Sequence, residues 1–286
     1  MLDVLIALLP ATVASVVIFG LKSLIVIAAC VITALVGEAL FNIVTKRKQT
    51  IGDLSAVVTG LLLALNLSTN VPAWQCVIGT LFAIICVKCL FGGLGCNFAN
   101  PAITGRVFML VAFGTMAKAA FPTIVDTVSS ATPLASEEAT SLMDLFLGNH
   151  GGAIGETCAA ALLLGGIYLI VRRVITWHIP VAFICTVFLT SFLMESMDPM
   201  AGLAAVLSGG LLIGAIFMAT DYVTSPATPW GKIIFGLGAG LITFLIRYFG
   251  VYPEGVSFAI LFMNIITPYI SSCTKRKVFG VGGKNA

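Results

Sequence analysis

Ten apolar stretches follow one another along this chain, at about residues 2–20, 22–44, 51–68, 72–92, 98–117, 156–172, 178–196, 201–220, 230–248 and 255–271. A water-soluble core cannot hide that many. A helix rises 1.5 Å per residue, so about 20 residues cross a hydrocarbon core of roughly 30 Å. Spanning helices also satisfy their own backbone polar groups, which an open sheet in lipid cannot do. The sequence therefore predicts an all-α polytopic membrane protein with about ten transmembrane helices. Charge agrees with this. Only 9% of the 286 residues are charged, against roughly a quarter in a soluble domain, so the lipid bilayer takes the place of water around most of the surface. The first stretch lacks the basic start and small-residue cleavage site of a signal peptide, and further spans follow it.

Orientation comes from the basic residues. With ten spans both termini share a side. That side collects Lys46, Arg47, Lys48, Arg172, Arg173, Lys232, Lys275, Arg276, Lys277 and Lys284, and the other collects Lys22, Lys118 and Arg247. The imbalance places both termini in the cytoplasm and the segment 126–144 outside it. That segment, DTVSSATPLASEEATSLMD, is the one long polar interruption, and it carries four acids. The net charge of +3 calls for no nucleic-acid partner.

The chain repeats itself weakly. AVVTGLLLAL (56–65) matches AVLSGGLLIG (205–214), GCNFAN (95–100) matches GVSFAI (255–260), and Glu38 and Glu195 end the second and seventh spans. The offsets, 205−56=149, 255−95=160 and 195−38=157, pair five spans with five. An odd number of spans per repeat inverts the second copy. The expected organisation is a first five-helix repeat over 1–117, an extracytoplasmic loop over 118–155, a second five-helix repeat over 156–272 and a basic cytoplasmic tail over 273–286. The third span is short. Asp53 to Leu67 is 15 residues, about 22 Å at helical rise. It runs into NLSTNVPAW (66–74), and the corresponding place in the second half reads ATDYVTSPATPW (219–230). Two proline-punctuated polar stretches at matching positions point to broken central segments and a site between them. Ordinary surface loops are the alternative.

Two stretches could carry chemistry. In FGGLGCNFANPAITGR (91–106), Gly92, Gly93 and Gly95 permit unusual backbone angles. Asn97 and Asn100 add amides, Pro101 suits a first helical turn, and Arg106 stands in an apolar span where it needs a partner or a polar ligand. This is either a site for an anionic or polar aromatic group, or a packing knot with Arg106 reaching the cytoplasmic interface. In FMATDYVTSPATPWGK (217–232), Asp221 lies between Thr220 and Thr224. It could bind a cation or hold a flavin edge, and capping a helix is the expectation. Glu38 and Glu195 are expected to be interfacial carboxylates. His150 and His178 stand alone, without metal spacing. Most of the eight cysteines sit in apolar runs as small hydrophobes. CVKC (86–89) has redox spacing but no second pair near it. No metal site is expected. Nucleotide-binding, hydrolase and zinc-protease motifs are absent.

The segment Asp126-Thr127-Val128-Ser129-Ser130-Ala131-Thr132 resembles the flavinylation motif D-x-x-[ST]-G-A-T. Ser130 stands where the motif usually has glycine. VTGLLLAL (58–65), FGGLGCNFANPA (91–102), GGAIGET (151–157), GGIYLIVRRVITWHIPVAF (165–183) and ATDYVTSPATPWG (219–231) resemble the D subunits of Rnf electron-transport complexes, a family similar to the B subunits of the sodium-translocating NADH:quinone reductase. The likeness covers nearly the whole chain, and the opening MLDVLIALLP suggests a shortened start by comparison. The resemblance implies FMN joined by a phosphodiester to Thr132 by a flavin transferase, with Asp126, Ser129, Ser130 and Ala131 as the surrounding motif. It also raises riboflavin as a further cofactor, at no assigned position. Asn97, Asn100, Arg106, Thr220, Asp221 and Thr224 are the other candidate cofactor-binding residues. The implied role is a one-electron relay in a hetero-oligomeric complex of Rnf subunits in a bacterial or archaeal cytoplasmic membrane. That complex passes electrons between ferredoxin and NAD and moves Na+ or H+, with the NAD chemistry in partner subunits. The competing readings are an inverted-repeat small-solute channel or transporter, and a cofactor-free assembly subunit whose polar loop holds only turns.

Overall fold

The computed structural model of the protein describes residues 1–113, 141–195, 197–250 and 255–275. They form helices joined by turns, with no strand among the described residues. In chain order the helices are α1 (Leu2–Phe19), α2 (Leu21–Val44), α3 (Ser55–Leu65), α4 (Ala73–Leu81, continued by a wider π-helical stretch, Phe82–Cys89), α5 (Pro101–Ala112) and α6 (Leu142–Leu147). There follow α7 (Ala159–Val171), α8 (His178–Met194), α9 (Pro199–Leu207), α10 (Leu211–Ile213, continued by a π-helical stretch, Gly214–Met218), α11 (Pro229–Phe249) and α12 (Val256–Thr274). Every apolar stretch of the sequence holds a helix. The short α6 is an addition inside what reads as loop.

The starts of three helices follow from two adjacent residues each. Asn100, Asp198 and Thr228 accept from backbone N–H groups of the first turn, and a proline stands next in each case, at the first position of α5, α9 and α11. A short oxygen-bearing side chain satisfies a donor that the helix cannot, and proline lacks one of those donors anyway.

α1, α2, α11 and α12 are long and apolar enough to cross a membrane. α9 and α10 with its π-helical continuation make one further span, bent by 68°. The break falls at Ser208–Gly210, where Gly209 has a positive φ of 65°. α3 is shorter than the 15 residues read from the sequence. It has 11, about 16 Å of helix, because Leu54 turns left-handed (φ 61°) before it. α3 therefore ends inside the bundle. Its last carbonyls would be orphans in a dry interior. The segment before α7 folds back to meet them: Ile154 N–H donates to the Leu67 carbonyl at 2.9 Å and Gly155 N–H to that of Leu65 at 2.6 Å.

The bundle is apolar outside and selectively polar inside. Val17, Leu21, Val44 and Val111 are each at least two-thirds exposed, whereas Glu38, Lys88, Arg106 and Glu156 are at most 6% exposed. Small residues let the helices approach. At Gly165 in α7, an added Cβ would strike the Ala7 carbonyl oxygen of α1. Gly165→Val is expected to force these helices apart and cost about 1–3 kcal/mol or more, read as a lower thermal unfolding midpoint in detergent. Gly52→Ala, with open space around it, should leave the midpoint in place.

Candidate functional site

A cavity of about 360 Å³ opens at one end of the bundle. Its wall is made where several chain ends meet: Met1 before α1, Ser55 at the start of α3, Lys88 at the end of the α4 continuation, Asn97 and Asn100 before α5, Val174 after α7, and Thr220 to Val223 after the bent span. Leu62, Leu169, Ile175 and Phe217 supply apolar surface. Four of the candidate residues, Asn97, Asn100, Thr220 and Asp221, thus share one cavity although about 120 residues of chain separate the two pairs.

The loop before α5 adopts the backbone that its glycines permit. Gly92, Gly93 and Gly95 have φ of 121°, 95° and 91°, angles that a side chain would resist. This turns the chain so that Asn97 is buried, its amide donating to the Ala99 carbonyl at 3.0 Å. Asn100 works in two directions. Its oxygen caps α5, accepting from Ala102 N–H at 3.0 Å, and its amide donates to the Met218 carbonyl at 3.1 Å. This side chain is one of the links between the two halves of the chain. Asn264 of α12 lies beside it, its amide oriented to accept from Asn100 N–H at 3.1 Å and donate to the Thr224 carbonyl at 3.3 Å.

Asp221 caps no helix, contrary to the sequence expectation; Thr228 does that for α11. Asp221 instead folds the turn between the bent span and α11. Its carboxylate accepts from the Thr224 hydroxyl at 3.1 Å, and its carbonyl from Ser225 N–H at 3.1 Å. Burial raises its carboxyl above the ordinary range. Hydrogen bonds from Thr224, Asn97 and the Val223 and Tyr222 N–H groups oppose this. These partners are all donors, so the carboxylate is arranged as a satisfied acceptor. Thr220 is back-bonded to the Ile216 carbonyl at 2.6 Å. Thr224 lies behind the wall, buried, its carbonyl accepting from Thr267.

Glu38 is not the exposed span-end carboxylate that the sequence suggests. It is 2% exposed, because α2 runs six residues beyond it, to Val44. Both its carboxylate oxygens accept from the Lys88 ammonium, at 2.9 and 3.0 Å, and Thr50 donates to it at 2.6 Å. Lys88 spends its third proton on the Ser55 hydroxyl at 2.5 Å. An intramembrane cation is costly unless so paired. Nothing in the sequence joins these two residues. The only local signal is a lysine inside the apolar run 72–92. Glu195 differs: it is exposed and accepts from the Tyr248 hydroxyl at 3.2 Å.

Arg106 stands outside the cavity and reaches neither its ligand space nor an interface. Leu62 and Ala102 face the cavity, and one helical turn deeper on the same two helices lie Asn66 and Arg106. The guanidinium donates to Glu156 at 2.8 Å and to the Asn66 side-chain oxygen at 2.5 Å. Glu156 is the lone acid of GGAIGET, and no spacing in the sequence matches it with Arg106. Among the described residues no group of His, Cys, Asp and Glu is placed to hold a metal. His150 is buried, with its Nδ1 3.1 Å from the Gly151 carbonyl oxygen. Cys86 and Cys89 are free thiols on the π-helical stretch. The candidates Asp126, Ser129, Ser130, Ala131 and Thr132 lie outside the described residues.

A helical bundle with lipid-compatible outer faces, ion pairs buried within and two interrupted central segments defines a multi-pass integral membrane protein. The family model described as the NQR2, RnfD, RnfE family matches residues 1–280. The chain belongs to that family. It is 47% identical, over 98% of its length and 90% of the relative's, to the D subunit of the Na(+)-translocating ferredoxin:NAD(+) oxidoreductase complex of Acetobacterium woodii. It is 41% identical, over 98% and 91%, to the D subunit of the proton-translocating ferredoxin:NAD(+) oxidoreductase complex of Clostridium ljungdahlii. The D subunit of an ion-translocating oxidoreductase complex of Salmonella typhi is 38% identical, over 98% and 93%.

Proposed function

We propose that this chain is the D subunit of an Rnf-type complex, a membrane-embedded electron carrier in a multi-subunit ion-translocating oxidoreductase. It carries FMN covalently on Thr132, attached by a flavin transferase. It works with the other Rnf subunits, which hold the ferredoxin-side and NAD-side chemistry. Relatives are named for Na+ and for H+, and translocation of one of these ions is the coupled process. The observation that carries this reading is the segment Asp126–Thr132 in a chain similar to these subunits over 98% of its length.

Both termini lie in the cytoplasm of a bacterial or archaeal cell, and the loop with Thr132 lies on the outer side of its cytoplasmic membrane. The cavity supports this topology. It gathers Met1, Ser55, Lys88, Asn97, Val174 and Asp221, the ends that an alternating ten-span path leaves on one side. The same cavity suits a second, non-covalent flavin such as riboflavin. It has the apolar walls and few convergent polar groups of a small-molecule site, with the Asn97 and Asn100 amides to meet the polar edge of a flat ring. A flavin supplies one-electron chemistry; the protein fixes its position and environment.

Intact-mass measurement of the chain purified from its native host tests the proposal. The expected result is one FMN phosphodiester per chain, seen also as a fluorescent band after denaturing electrophoresis. An unmodified mass overturns it.

A further inference from the structure

Inverted-repeat membrane proteins commonly hold ions where broken helices meet, with helix ends and side-chain oxygens as ligands. Here the end of α3 and the break between α9 and α10 approach the same place. Asn66 follows α3 directly. At the other break, Gly210 is so close that an added Cβ would lie 2.5 Å from the Glu156 oxygen and 3.1 Å from the Arg106 guanidinium. Between them sit a buried carboxylate, Glu156, and a buried amide oxygen, that of Asn66. Both face the Arg106 guanidinium.

We propose that Arg106 is a tethered cation, permanently filling an oxygen-lined ion site between the two helix breaks, so that no free ion occupies that site. The charge and the oxygens fit. One carboxylate and one neutral amide oxygen make a site for a single positive charge. A guanidinium there meets both oxygens by hydrogen bonds, and a monovalent cation would meet them by coordination, with water completing its shell. Place in the fold fits as well. The pair lies one helical turn beyond the cavity floor at Leu62 and Ala102. On its other side the backbone of Ile154 and Gly155 closes the end of α3. An open cavity at one end and a folded-back segment at the other leave the Arg106 layer as the electrostatic closure.

The test uses the full chain, purified with its bound partner subunits. Arg106→Gln removes the tethered cation but leaves the Glu156 carboxylate and Asn66 in place. Its thermal unfolding midpoint should start below that of the unsubstituted chain and rise saturably as Na+ replaces choline at constant ionic strength, as ligand-linked stabilisation does. The unsubstituted chain and Arg106→Lys, which keeps a tethered charge, should show no such response. Arg106→Gln/Glu156→Gln should lose it, because the carboxylate is gone. In liposomes under an imposed potential, without electron transfer, Arg106→Gln should also pass Na+ about tenfold faster than the unsubstituted chain, as expected when a fixed charge leaves a pathway. The proposal is overturned if Arg106→Gln gains no Na+-specific stability, if the double substitution responds as the single one does, or if Arg106→Gln fails to fold at every Na+ concentration.

Discussion

Lys88→Met is expected to destabilise the protein by about 3–5 kcal/mol, a large part of the roughly 5–15 kcal/mol that holds a typical domain together. The reason is the carboxylate left behind. Glu38 is 2% exposed and receives two of its three side-chain hydrogen bonds from Lys88. Without the ammonium it keeps the full cost of desolvation and loses the charge that offset it. The Ser55 hydroxyl also loses its donor. Glu38→Met/Lys88→Met removes both charges and should recover most of the loss, since a buried pair is often no more stabilising than well-packed apolar residues. The midpoints of the two variants, compared in one detergent, decide the matter. If the double substitution is as damaging as Lys88→Met, burial of an unpaired charge is not the cause. The exposed pair of Arg172 with Asp3, at 3.3 Å and with the Arg172 side chain 59% exposed, is the contrast. Arg172→Ala should cost at most about 1 kcal/mol, as surface ion pairs do.

Thr132→Ala is expected to abolish covalent flavin altogether. A phosphodiester needs the threonine oxygen, and alanine offers none, so the effect is all or nothing rather than graded. The fluorescent band should vanish and the intact mass should fall to that of the bare chain. Thr127→Ala, five residues earlier in the same segment, should keep both signals. Retention of the flavin mass by Thr132→Ala would place the attachment elsewhere. Ser130→Gly restores the residue usual at that position of the motif and should leave the labelled fraction undiminished. A lower fraction would mean that the motif as read does not govern attachment here.

The spans were legible because lipid imposes a length and a composition on each of them. The pairs Asn100-Pro101, Asp198-Pro199 and Thr228-Pro229 mark helix starts for reasons local to the two residues. The break in the eighth span has a visible cause too, in Ser208-Gly209-Gly210. What escaped were the partners of buried charge. Glu38 and Lys88 are 50 residues apart, as are Arg106 and Glu156. No periodicity links residues at that separation; only the packing of helices brings them together. Glu38 reads as interfacial because the apolar pattern weakens after it, yet the helix continues to Val44. Asp221 reads as a cap because aspartate favours caps, but Thr224, three residues on, offers its hydroxyl and draws the carboxylate into a turn. Of the two polar stretches at matching places only 219–230 reaches the cavity; 66–74 contributes no residue to its wall, the loop before α5 takes that part, and Lys88, Ser55 and Val174 join unannounced.

The fold-back of residues 153–155 onto α3 also constrains how the protein is made. The Leu65 carbonyl waits for Gly155 and the Leu67 carbonyl for Ile154, partners that leave the ribosome 155−65=90 and 154−67=87 residues later. At about 5–20 residues per second, that interval is on the order of ten seconds. Through it the end of α3 lacks the two backbone donors that meet it in the folded protein. Biogenesis of this protein is therefore closed from the middle: the connector between the halves, arriving late, completes the half that came first.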